Sequence, residues 1–213
     1  MLRKNIVGLL VCLAALSVAT LGFAGVPDVN NSTASTAATV QVSVFNVPDG
    51  TGKALTEARD AAGNVVDATI TVTLLDAGMN PVYLFPFEDM WLETTLGGLV
   101  PCANGTVADA STDINGQTTF TGPFYAGGIT DPASGELTRV MVNGAGLVGS
   151  DMDIQFNSAD MTGDGIVNIS DLSSFSAGYL GGSYVYDVDF SYDGVINLSD
   201  LVLFSTAFNA TCP

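Results

Sequence analysis

The sequence predicts a mainly β protein, in which a β-sandwich is followed by a small α-helical tail. Seven short apolar runs, several of them alternating with polar residues, are separated by Gly, Asn, Asp and Pro, as in antiparallel sandwiches. Near the C-terminus a twelve-residue pattern occurs twice, and apolar residues at helical spacing follow each copy. Hydrophobic residues make up 47% of the chain, which is enough to bury a core.

The first segment, residues 1–24, has the features of a signal peptide. Arg3 and Lys4 precede an almost unbroken apolar run over 6–23, and small residues surround Phe23, where a signal peptidase would cut. The run is short for a membrane-spanning helix and no stop-transfer segment follows it, which argues against a retained anchor. We therefore expect a secreted protein, extracellular or at the cell surface, with no membrane contact after cleavage.

The next two segments are a predicted leader and the predicted sandwich. Residues 25–39 are rich in Ser, Thr, Ala and Asn without periodicity, which is typical of a flexible leader. Residues 40–156 hold the strand signals and are expected to form one sandwich domain. The predicted strands are 40–45, 69–75, 81–85, 90–93, 117–121, 137–142 and 152–156.

The repeated pattern occupies residues 160–171 and 189–200. Oxygen-bearing side chains recur at alternate positions, and a carboxylate closes each loop. A calcium ion takes six to eight oxygen ligands, so each loop predicts one calcium site, two ions in all. One copy alone is compatible with an ordinary turn, but two copies in the same register indicate a structural unit. The predicted ligands are Asp160, Thr162, Asp164, the Ile166 carbonyl, Asn168 and Asp171, then Asp189, Ser191, Asp193, the Val195 carbonyl, Asn197 and Asp200.

Each loop contains a sharp turn and leads into a predicted helix. Gly165 and Gly194 fall at the sixth position, where a positive φ favours glycine. Val167 and Ile196 are expected to pair the two loops as a short antiparallel ribbon. Apolar residues at three-then-four spacing then predict one amphipathic helix per copy. They are Leu172, Phe175 and Tyr179 after the first loop, and Leu201, Phe204 and Phe208 after the second.

On these motifs, residues from about 157 to 213 resemble a type I dockerin, an EF-hand-like module with two calcium loops. The resemblance implies docking onto a cohesin-like or other extracellular protein, in bacterial machinery for polysaccharide degradation. The chain departs from the family at Ser176 and Ser205, where basic residues are common, and at the tenth and eleventh loop positions. The segments 76–82 and 113–120 make the preceding domain similar to bacterial immunoglobulin-like domains.

Charge and cysteine content restrict the partners and the compartment. The chain has 22 Asp and Glu against five Lys and Arg, and no basic residue follows Arg139, so nucleic acid is not an expected partner. Cys102 and Cys212 remain after cleavage and are expected to form an internal disulfide in an oxidising compartment. Two independent thiols and links between chains are the alternatives.

The residue inventory argues against catalysis. The chain has no His, and Lys53 is the one Lys beyond residue 24, so most nucleophilic and acid–base arrangements are missing. Glu88, Asp89 and Glu93 beside Trp91 are the remaining carboxylate candidates. Trp91 is either a core aromatic residue or a sugar-stacking residue; the second alternative would add a glycan to the partners. The prediction is a non-catalytic calcium-binding docking protein; the alternatives are a carbohydrate-binding module and a structural subunit of a surface layer or fibre.

Overall fold

The computed structural model describes residues 25–213, and this part of the chain is mainly β, as the sequence predicts. Its α-helices are α1 (Ile169–Leu180) and α2 (Leu198–Ala207), and neither has the length and apolarity needed to span a bilayer. The predicted signal peptide lies outside the described residues. The strands are β1 (Thr33–Thr36), β2 (Val42–Asn46), β3 (Ala58–Arg59), β4 (Val65–Val66), β5 (Ile70–Thr73), β6 (Met90–Thr94), β7 (Val100–Pro101), β8 (Gln117–Phe120), β9 (Ala126–Gly127), β10 (Thr138–Val142), β11 (Ala145–Gly146) and β12 (Ile154–Ser158).

The described strands form four sheets, with the orders β1-β5-β8, β11-β10-β6, β12-β2-β3-β4 and β7-β9. All named strand pairs are antiparallel except β12 and β2, which run parallel with Ile154 opposite Val42 and Ser158 opposite Asn46. Alternate residues of β10 and β6 are buried, as the alternating sequence predicts. The parallel pair matters for the site, because the chain leaves β12 directly into the first twelve-residue loop.

The expectation of a flexible leader over 25–39 is wrong for the described chain. Residues Thr33–Thr36 form β1, which pairs antiparallel with β5, with Ala34 opposite Val72. The Ala34 side chain is buried in the sandwich core, and its N–H donates to Ser150 Oγ at 3.1 Å. The segment Thr33–Thr36 lacks the alternating large apolar residues that mark a strand in the sequence, so pairing with the neighbouring strand decides its conformation.

The predicted strand over 81–85 is also wrong. Leu84 has φ 56°, which interrupts an extended strand, and Pro81 lacks an N–H for a ladder. The segment is held instead by Thr112, whose carbonyl accepts from Leu84 N at 2.9 Å and whose Oγ1 accepts from Phe85 N at 2.9 Å. The other six predicted strands overlap observed strands.

A second apolar core joins the predicted sandwich to the C-terminal unit. Phe45, on β2, packs with Phe190, and Phe175 of α1 stacks on Phe204 of α2 with ring centroids 4.9 Å apart. Because β2 contributes Val44 to the sandwich core and Phe45 to this second core, the strand is covered on both faces. The two predicted domains are therefore fastened by shared packing.

The predicted ribbon between the two loops is replaced by a different pairing. Val167 N donates to Ala210 O at 2.9 Å, and Asn209 N donates to Val167 O at 2.9 Å. An isolated antiparallel bridge joins Ile166 to Thr211. The first loop thus pairs with the C-terminal tail.

Candidate metal centre

The two twelve-residue loops have matching backbone geometry. Gly165 has φ 83° and Gly194 has φ 78°, so the predicted left-handed turn is present in both copies. Each loop ends in a capped helix: Asn168 Oδ1 accepts from Ser170 N, and Asn197 Oδ1 accepts from Ser199 N, both at 2.8 Å. The predicted amphipathic helices are α1 and α2, and they place Phe175 and Phe204 in the second core.

The first aspartate of each loop is the buried centre of the turn. Asp160 Oδ2 accepts from Gly165 N at 2.9 Å and its Oδ1 accepts from Asp164 N at 3.2 Å. In the second loop, Asp189 accepts from Gly194 N and Asp193 N at the same distances. Both aspartates are fully buried. The backbone N–H groups therefore hold one carboxylate at the same place in each loop.

The last aspartate of each loop closes it and caps the helix. Asp171 Oδ1 accepts from Thr162 N and its Oδ2 accepts from Asn168 N, both at 2.9 Å. Asp200 makes the equivalent bonds with Ser191 N and Asn197 N, again at 2.9 Å. Asp171 and Asp200 are also fully buried. Thr162 Oγ1 lies 3.0 Å from Asp171 Oδ1 and 3.4 Å from Asp160 Oδ1, so three predicted ligands converge in the first loop.

The predicted ligands in the middle of each loop point less directly toward the buried carboxylates than the first and last ones do. Asp164 is exposed and its Oδ1 accepts from Ile166 N at 3.0 Å, while Asp193 makes the same bond with Val195 N at 2.9 Å. The Ile166 carbonyl accepts from Asn168 Nδ2 at 3.1 Å, and the Val195 carbonyl accepts from Asn197 Nδ2 at the same distance. Across residues 25–213, no three acidic, His or Cys side chains converge in the way a metal site of those ligand types requires.

The buried carboxylates have no basic partner in the described chain. Lys53 pairs with Glu57 at 3.2 Å, and Arg139 pairs with Asp151 at 2.6 Å. Arg59 donates to the Gly63 carbonyl. Burial raises the pKa of Asp160, and the nearby Asp171 charge adds to the effect. Burial also raises the pKa of Asp189. Each loop therefore concentrates negative charge that a bound cation would offset.

Residues of the sandwich pack directly against the first loop, and the sequence analysis does not predict these contacts. A Cβ at Gly127, on β9, would overlap with the Asp160 carboxylate, so glycine alone leaves room for that side chain. Gly128 N donates to Asp160 O at 2.8 Å. In the second loop, Asn157 Nδ2 donates to Asp189 O at 2.8 Å. No local sequence signal marks these contacts, because the contributing residues lie outside both repeats.

Cys102 and Cys212 form a disulfide across 110 residues, with their Cα atoms 5.6 Å apart. Cys102 follows β7, and Cys212 N donates to Gly165 O at 2.9 Å. The bridge therefore attaches the tail and the first loop to the sandwich.

The donor chemistry of both loops fits a hard divalent cation. Carboxylate, hydroxyl and carbonyl oxygens are the groups that Ca²⁺ selects, and the loops hold no nitrogen or sulfur ligand at the predicted positions. The space left by Gly127 accommodates the Asp160 carboxylate at the turn, and Thr162 Oγ1 lies within 3.4 Å of both this carboxylate and that of Asp171. The residues present thus fit calcium.

The acidic residues around Trp91 lie apart from the loops. Trp91 is half-buried on β6, and its indole Nε1 donates to Glu93 Oε1 at 2.8 Å. Glu88 and Asp89 lie on the preceding short 3₁₀ turn. Trp91, Glu88 and Cys102 line a cleft of about 340 Å³.

Comparisons with known proteins leave the family open. No protein-family model matches the chain, and no curated protein sequence matches it. One solved structure with similarity is the filamin domain of Lin-41, at 15% sequence identity and a TM-score of 0.28. The match covers 60% of this chain and 95% of the filamin chain.

Proposed function

We propose that this chain is a secreted, non-catalytic protein that binds two calcium ions and docks onto another extracellular protein through its C-terminal unit. In this proposal the sandwich is immunoglobulin-like, and residues 157–213 are an EF-hand-like, dockerin-like module. The partner is a cohesin-like or other extracellular protein, in a polysaccharide-degradation setting. The matched hydrogen bonds that hold buried Asp160 and Asp189, in loops with no basic partner among residues 25–213, support it most strongly.

Calcium would supply the positive charge that the described loops lack. The loop residues hold their oxygens by backbone hydrogen bonds: Gly165 N and Gly194 N orient the first carboxylates, and the helix caps orient the last ones. The hydroxyl oxygens of Thr162 and Ser191 are neutral candidate ligands for calcium, at the third position of each loop. A loop with three carboxylates and one hydroxyl suits the high calcium concentration outside cells.

The exposed surface of the loops supports docking. Ile166 and Val195 occupy the seventh position of their loops and are 46% and 57% exposed. Ile169 and Leu198 occupy the tenth position and are 69% and 65% exposed. Each copy therefore presents a matching apolar pair to solvent, next to its buried acids. Because residues 140–213 contain no Lys or Arg, a protein partner with basic groups around an apolar centre complements this surface.

The residue inventory, with no His and few Lys, supports a non-catalytic role in this proposal. The chain has no His, and the described part contains one Lys, which pairs with Glu57. Trp91 donates its indole N–H to Glu93, so that carboxylate already has a structural partner.

Calorimetric titration with calcium tests the metal part of the proposal. Residues 25–213, stripped with EGTA, should bind two ions, and the double variant Asp164→Ala/Asp193→Ala should bind neither tightly. Asp113→Ala is the matched control, because Asp113 also accepts backbone N–H bonds in a turn, from Asn115 and Gln117, but lies outside the repeats. Equal calcium uptake by the double variant and the unsubstituted chain would refute the ligand assignment.

Docking is tested by capture on an immobilised cohesin module. We expect binding in calcium that is lost in EGTA and lost in the double variant. Replacing Ile169 and Leu198 together by Ser should weaken capture while leaving calcium uptake unchanged. Calcium-independent capture would contradict the docking proposal.

Glycan binding is a second candidate, supported by the cleft beside Trp91. The half-exposed indole offers a face for a sugar ring, and Glu88 offers hydrogen-bond acceptors. Soluble polysaccharide should then give a binding heat that Trp91→Ala abolishes. No heat with the unsubstituted chain would exclude this candidate for the polysaccharides tried.

A further inference from the structure

Tyr184 contacts the first aspartate of the second loop. Its hydroxyl donates to Asp189 Oδ2 at 3.0 Å. Tyr184 lies in the segment between α1 and the second loop, and its side chain is partly exposed while the Asp189 carboxylate is fully buried. The hydroxyl thus reaches the buried carboxylate from the solvent side.

Within residues 25–213, no tyrosine hydroxyl donates to the Asp160 carboxylate of the first loop. The residue at the same offset from Asp160 is Gln155, whose Nε2 donates to Glu136 O at 2.8 Å and to Asp153 Oδ1 at 3.0 Å. The backbone N–H bonds to Asp160 and Asp189 have equal lengths in the two loops. Among the described residues, the Tyr184 hydroxyl is therefore the side-chain contact that distinguishes the carboxylates of the two first-position aspartates.

We propose that Tyr184 is a positioning residue for the second calcium site and makes the two sites unequal. This inference rests on the proposed calcium-binding function. The hydroxyl fixes the rotamer of Asp189, so less reorganisation of that side chain accompanies ion binding. Outer hydrogen bonds of this kind typically change metal affinity by about 10–100-fold. Tyr184 acts through Asp189 and supplies no ligand itself.

The test measures each site alone. Asp164→Ala disables the first loop and Asp193→Ala disables the second, so Tyr184→Phe is introduced into each of these variants and titrated calorimetrically with calcium chloride. In the Asp164→Ala chain, Tyr184→Phe should raise the Kd about tenfold. In the Asp193→Ala chain it should leave the Kd unchanged. Tyr83→Phe, a partly exposed tyrosine of the sandwich, is the matched control.

A spectroscopic readout separates positioning from a loss of fold. Calcium should change the near-ultraviolet tyrosine circular dichroism of the Asp164→Ala chain, and Tyr184→Phe should reduce that change while the unfolding midpoint in EGTA stays close to that of the parent. If Tyr184→Phe left the calcium Kd of the second site unchanged, or raised the Kd of both sites equally, this inference would be overturned. The proposed function would still stand. No calcium uptake by the unsubstituted chain would overturn both.

Discussion

Phe45 of β2 and Phe190 of the second loop lie with their ring centroids 5.0 Å apart, so the sandwich and the C-terminal unit share an aromatic contact. Phe190 also stacks on Phe175 of α1 at 5.5 Å. Phe45 is thereby linked through Phe190 to the helices that follow the loops. Changes in this core are expected to affect both units together.

Truncating Phe45 tests that linkage. Phe45→Ala should lower the free energy of unfolding by about 3–5 kcal/mol, because it removes a buried aromatic side chain and leaves a cavity. We also expect weaker calcium binding at the second loop, since Phe190 lies next to Asp189 in the chain. Chemical denaturation followed by far-ultraviolet circular dichroism measures the change. The control is Val65→Ala, at a 62% exposed position, which should cost less than about 0.5 kcal/mol.

Adding one methyl group at Gly127 tests the close contact between β9 and the Asp160 carboxylate. Gly127→Ala should displace the Asp160 carboxylate, because the new Cβ would occupy its place. Calorimetry should then show one calcium ion bound tightly, with the second loop serving as the internal control. Two unchanged binding steps would contradict this prediction. They would mean that Asp160 takes no part in calcium binding, or that β9 shifts enough to accommodate the new methyl group.

Removing the disulfide tests the attachment of the tail. Cys102→Ser/Cys212→Ser should lose about 4–5 kcal/mol in the chain-entropy model, since the bridge closes a segment of 110 residues. Denaturant unfolding of this variant and of the oxidised parent gives the difference. Mass analysis of a non-reduced proteolytic digest should recover the linked Cys102 and Cys212 peptides, and free thiols in that digest would contradict the bridge.

The pair of Arg139 and Asp151 predicts a pH-dependent contribution to stability. Arg139 donates to both carboxylate oxygens of Asp151, at 2.8 and 2.6 Å, and this lowers the pKa of Asp151. A lowered pKa stabilises the fold above the ordinary carboxyl pKa of 3.8 and loses that stabilisation as the pH falls through the folded value. Asp151→Asn should therefore be less stable than the parent at pH 7, by under about 1 kcal/mol for so exposed a pair. The difference should shrink below pH 3.8.

Denaturation series from pH 7 to pH 2 check this prediction in EGTA. Glu57→Gln is the control, because the pair of Lys53 and Glu57 is about half exposed on both sides. A constant difference between Asp151→Asn and the parent over the whole range would contradict the assignment.

Local sequence patterns are enough to predict the mainly β composition, six of the observed strands, both helices and the turns of the two loops. These features depend on local signals: alternation in the strands, glycine at the positive-φ positions 165 and 194, and Asn and Asp at the helix caps. Such signals act over a few residues and need no distant partner. The same local spacing predicts the calcium ligands.

Which distant segments come into contact depends on the tertiary fold. It paired Thr33–Thr36 with β5, set β2 parallel to β12, and brought Gly127 against Asp160 and Tyr184 against Asp189. Val167 likewise pairs with Ala210 of the C-terminal tail, where the sequence predicts pairing with Ile196 of the second loop. Long-range contacts depend on how two apolar cores close around β2, and no window of a few residues contains that information.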